Sequence, residues 1–108
     1  MSKYEIFDIG QAQRLRMLYK KNRQEAKKNF LEELISYQYF FGNQTSIVGA
    51  KLSVVHCYRK KTVETVLNDL NYKLSSFSTP LQRGLYGEVY GRCTNFCFVP
   101  KDSQTAEG

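Results

Sequence analysis

The chain has 108 residues, 42% hydrophobic and 24% charged, with three cysteines and a net charge of +6. That is enough for one modest core but not two, too apolar for a disordered chain, and without the run of about 20 apolar residues a spanning helix needs. Residues 14–28, RLRMLYKKNRQEAKK, hold seven basic side chains against the single acid Glu25, so the remainder of the chain is neutral and the positive charge is local. We expect a single α+β domain over residues 1–100 and a polar, disordered tail over 101–108.

KYEIFD, residues 3–8, is expected as a first strand, and Asp8 with Gln11 fits the start of a helix, where a side-chain oxygen caps orphan amides. Helical spacing then runs to Phe41, with Gly42-Asn43 as the stop, giving a long helix broken at most once. Leu15, Leu18, Tyr19, Ala26, Phe30 and Tyr37 form its apolar arc. Arg16, Lys20, Arg23 and Lys27 crowd a neighbouring arc, and Arg14, Lys21 and Lys28 flank the other side.

The β-branched stretch SIVGAKLSVVHCY, residues 46–58, reads as one long strand. Thr62 is a plausible N-cap for a second helix on which Val63, Val66, Leu67, Leu70, Leu74 and Phe77 recur at helical spacing until SSFSTP, residues 75–80, ends it. LYGEVYGRCTNFCFV, residues 85–99, is expected as one or two strands, with a hairpin turn near Gly91 or Thr94-Asn95. The resulting order is β-α-β-α-β-β, with two helices on one face of a mainly antiparallel sheet.

The chemistry-bearing residues are sparse. His56 and Cys57, read as strand neighbours, point to opposite faces and so do not combine as a metal or nucleophile pair. Cys93 and Cys97 on an extended strand lie about 13 Å apart at 3.3 Å per residue, too far to share one ion. An odd cysteine count favours buried thiols in a reducing, cytoplasmic setting. No nucleotide loop, cofactor motif or metal-ligand cluster is apparent. Asp8, Asp69 and Glu88 have no telling separation in sequence. RGLYGEVYGR, residues 83–92, departs from the first ribonucleoprotein motif of RNA-recognition domains at Leu85 and Glu88. Its GLY and VYG triplets stand too close together for the GIY-YIG nucleases, so neither family is assigned.

Binding is thus the leading expectation, to RNA or single-stranded DNA, through Arg14, Arg16, Lys20, Lys21, Arg23, Lys27 and Lys28. Arg59, Lys60 and Lys61 add cations before the second helix, while Tyr86, Tyr90 and Arg92 supply rings and a guanidinium for stacking. An acidic protein surface, as on a nucleic-acid enzyme, is the alternative partner, and an open sheet edge leaves room for a homodimer. A small ribonuclease built on His56, Tyr58 and Arg59 is a third reading. A membrane surface ranks last, because the apolar arc is needed for the core.

Overall fold

A computed structural model describes residues 9–41 and 51–101, without the side chains of Ile9 and of residues 38–41. The expected first strand, Asp8, the Gly42-Asn43 stop and residues 46–50 lie outside the described residues. Within them the order is α1 (Ile9–Lys21), α2 (Glu25–Phe41), β1 (Leu52–Val54), α3 (Lys60–Asp69), β2 (Tyr72–Ser78), β3 (Leu81–Arg83), β4 (Val89–Arg92) and β5 (Thr94–Pro100). The fold is α+β, with antiparallel strands in two sheets: β1-β5-β2, and the hairpin β3-β4. No helix among the described residues is long and apolar enough to cross a membrane.

The long helical stretch is broken once, at Arg23. Its φ of 57° is left-handed, with Arg23 N–H donating to Lys20 O at 3.2 Å and Gln24 N–H to Tyr19 O at 2.8 Å. These two bonds are the closing pattern of a helix that ends in a left-handed residue, and Gln24 O then accepts the Lys28 amide at 3.0 Å in the next helix. α1 and α2 therefore fold against each other as a helical hairpin, with Arg16 opposite Glu32. Along the expected apolar arc Tyr19 and Phe30 are buried, but Leu18 is 46% exposed and Ala26 is exposed as well, because the break turns the two halves separately.

The second predicted helix both begins and ends earlier than its spacing suggests. It starts at Lys60, with Arg59 in the N-cap position and no side-chain cap, so Thr62 lies inside it. It ends at Asp69, where Asn71 takes a left-handed φ of 73° and donates to Asn68 O at 3.0 Å. Leu74 and Phe77 belong instead to β2. A bulge between Leu74 and Ser76 adds a residue, so Tyr72, Leu74 and Phe77 all reach the core from one strand. Spacings of four and three residues, which look helical, arise here from a bulged strand.

The core is aromatic and continuous. Phe30 meets Phe96 at 5.3 Å and Tyr58 at 5.2 Å between ring centroids, Phe96 stacks on Phe98 at 5.8 Å, and Tyr72 closes on Phe98 at 5.1 Å. Leu31, Leu34, Val54, Val63, Val66 and Leu67 fill around them with no exposed surface. Burying such side chains, each worth about 1.5–3 kcal/mol, holds α2 and α3 on the three-stranded sheet, with α1 packed on α2. Lys101, at the expected start of the tail, donates its amide to Asn71 O at 3.1 Å.

Candidate nucleic-acid interface and the cleft beside it

α1 contains no acid, and its exposed cations Arg14, Lys20 and Lys21, with Arg23 at the corner, have no ion-pair partner among the described residues. Arg16 and Lys28 are different. Glu32 of α2 reaches back between them, 3.1 Å from Arg16 Nε and 3.3 Å from Lys28 Nζ. The Arg16 contact is an ion pair without hydrogen-bond alignment. Repulsion along the predicted basic arc is thereby relieved by a carboxylate sixteen residues on from Arg16, which a reading limited to local spacing missed. Lys27 stays half-exposed on α2.

Glu32 also lines an open cleft of about 370 Å³, together with Asn29 and Glu33 of α2 and with His56, Cys57 and Tyr58. His56 and Cys57 are not the strand neighbours that the β-branched stretch to residue 58 suggests. β1 ends at Val54, because its ladder partner β5 begins at Thr94 and offers nothing beyond the Val54–Thr94 pair. The next residues bend into a strap pinned by Thr94. Its fully buried hydroxyl donates to His56 O at 2.8 Å and accepts the Tyr58 amide at 2.8 Å.

The strap and α2 meet at Glu33. Its Oε2 accepts the Tyr58 hydroxyl at 2.6 Å and lies 2.5 Å from His56 Nδ1, with Phe30 one helical turn earlier wedging Tyr58 in place. Burial and then the bond to the Glu33 carboxylate push the Tyr58 phenol far above its ordinary value, so it remains a donor. His56 is exposed and leans on the edge of Tyr58, with ring centroids 6.3 Å apart. The chain's lone histidine thus stands at the surface, on the wall of the cleft.

Tyr86 is 92% and Tyr90 70% exposed, on the hairpin β3-β4, whose turn runs through residues 84–88 and not at Gly91 or Thr94. Gly84 N–H donates to Glu88 O at 2.8 Å, and Gly87 turns the chain with a φ of 83°. Tyr86 thus sits in the turn and not on a common strand face with Tyr90. Glu88 still couples them, accepting the Tyr86 amide at 3.1 Å and the Tyr90 hydroxyl at 2.8 Å. Arg92 donates to Thr79 O at 2.6 Å, which anchors the hairpin base and occupies part of its guanidinium.

Register places these parts relative to one another. Val54 pairs with Thr94 and Ser78 with Asn95, so the hairpin base and the strap of residues 55–59 leave from the same end of the sheet. Arg59 closes that strap, Lys60 and Lys61 follow it in α3, and all three are exposed. Lys61 also borders a second groove, between α3 and β2, that holds Lys73 and Lys101. Of the three carboxylates considered from sequence, Asp69 is tied to Tyr19 and Gln11 and Glu88 belongs to the hairpin turn, while Asp8 is outside the described residues. Among the described residues no three His, Cys, Asp or Glu side chains are grouped to hold a metal ion. Comparison of the chain with protein-family models, with curated proteins and with solved structures gives no match.

Proposed function

We propose that this protein binds RNA or single-stranded DNA through its phosphates, using Arg14, Lys20, Lys21 and Arg23 on α1 and its corner, with Lys27, Arg59, Lys60 and Lys61 extending the surface. The observation that carries this is the contrast within one helical hairpin: Glu32 neutralises Arg16 and Lys28, while the exposed cations on α1 stay unpaired among the described residues. Unpaired like charges at helical spacing destabilise a free helix, and an anion relieves them. Exposed Tyr86 and Tyr90, on a hairpin rooted at the sheet end that carries Arg59, add rings on which unpaired bases could stack. Arg16 and Lys28, grouped with the rest by sequence, become pins for the α1–α2 hairpin in this reading.

Fluorescence anisotropy of labelled single-stranded RNA, single-stranded DNA and duplex DNA over a salt series tests it. Affinity for the single strands should fall with salt, with a log–log slope of about 0.7 for each phosphate neutralised. Lys20→Glu/Lys21→Glu should flatten that slope and abolish most binding. Glu32→Gln, which releases Arg16 and Lys28, should bind a few-fold tighter. Absence of binding by the folded protein at low salt would overturn the proposal and direct the search to an acidic protein partner.

A further inference from the structure

We infer that the Glu33–His56 pair is an acid–base site at which the 2′-hydroxyl of bound RNA is deprotonated and the adjoining phosphodiester is cleaved. The inference rests on the proposed nucleic-acid binding and adds a reaction to it. Three features carry it. Glu33 Oε2, 2.5 Å from Nδ1, accepts its proton in the neutral ring, which leaves the lone pair on Nε2, a nitrogen with no partner among the described residues. Glu33 is itself fixed by the Tyr58 hydroxyl at 2.6 Å, and the His56 backbone by the buried Thr94 hydroxyl. The ring borders an open cleft of about 370 Å³ rather than standing on a flat surface.

An isolated surface ion pair needs none of this support. A base that must meet a hydroxyl at a set angle does, because orientation fixed beforehand is what makes proton transfer efficient. The cleft also adjoins the proposed phosphate surface. Its Glu32 wall is held by Arg16 and Lys28, and Arg59 follows His56 by three residues on the strap. Each carboxylate in the cleft has a cationic or hydrogen-bonding partner, which reduces its repulsion of a phosphodiester.

The step balances without any co-reactant beyond water. Nε2 takes the proton of the 2′-hydroxyl as O2′ bonds to phosphorus. The bond from phosphorus to O5′ then breaks. The leaving O5′ takes a proton from water and the imidazolium returns its own to solvent. The products are a 2′,3′-cyclic phosphate and a 5′-hydroxyl end. His56 is the catalytic residue and Glu33 the positioning residue.

The test incubates the protein with a labelled single-stranded RNA, and with the same oligonucleotide carrying 2′-O-methyl groups, while anisotropy records binding separately. Cleavage of the first alone, with cyclic-phosphate ends, should fall by at least about 100-fold in His56→Ala with binding retained. Glu33→Gln should slow cleavage by about 10-fold and change its pH profile, a readout a purely structural role would not move. RNA bound but uncut overturns this inference and leaves the binding proposal standing. Neither binding nor cleavage overturns both. Cleavage undiminished in His56→Ala, or of the methylated strand, also overturns the site.

Discussion

Thr94 is the residue that holds the strap side of the cleft in place. It has no exposed surface, and its hydroxyl joins β5 to two backbone groups of the strap that otherwise lack a ladder. Thr94→Val keeps the shape and removes both bonds, leaving the Tyr58 amide and the His56 carbonyl without their side-chain partner. Chemical denaturation should register a loss of about 1–3 kcal/mol, the range for stranding a buried polar group. At this scale the sequence was legible for the core, where Phe30, Leu67 and Phe96 behave as their composition suggests. It was not legible for Glu33, because nothing local in FLEELI marks which of two adjacent acids will meet a histidine 23 residues later.

At the scale of elements, the two helix ends at Arg23 and Asn71 are the telling ones. Asn tolerates the left-handed conformation, whereas Arg at a φ of 57° carries a backbone cost of roughly 1–2 kcal/mol. Arg23→Gly should therefore raise the unfolding free energy by about 1 kcal/mol in denaturant titration while weakening RNA binding. Those opposite signs would separate the corner's contribution to the fold from its contribution to a ligand. Left-handed residues also explain what the helical pattern concealed. Period counting sees side chains and not backbone dihedrals, so it extends the third helix through Asn71 into a bulged strand and puts the hairpin turn near Gly91 or Thr94-Asn95 instead of residues 84–88. The α+β class survived these shifts because the apolar positions still reached one core.

At the scale of the molecule, two buried phenols among the described residues tie helices to other elements. Tyr19 donates to Asp69 Oδ2 at 2.6 Å and joins α1 to the end of α3, as Tyr58 joins the strap to α2. In both, burial first and the carboxylate bond next raise the pKa above the ordinary 10.0. A pKa raised by folding gives stability that is full below the unfolded value and lost as pH climbs toward the folded one. Stability should thus be insensitive to these groups up to about pH 10 and decline above it. Denaturation midpoints at pH 8 and pH 11 would measure the decline, and Tyr19→Phe/Tyr58→Phe should shrink it.

The strand order β1-β5-β2 has a further consequence during synthesis. β5 is the middle of its sheet and the last of its three strands to be made, about 40 residues after the partner segment at Val54. At roughly 5–20 residues per second, β1 is made several seconds before the residues it pairs with exist, and β2 has a shorter wait. α1 and α2 can pair in that interval, because the residues that contact each other across them are already made. A ribosome stalled before Thr94 would thus carry the cations of α1 and α2 without the sheet that lies beneath them in the folded protein.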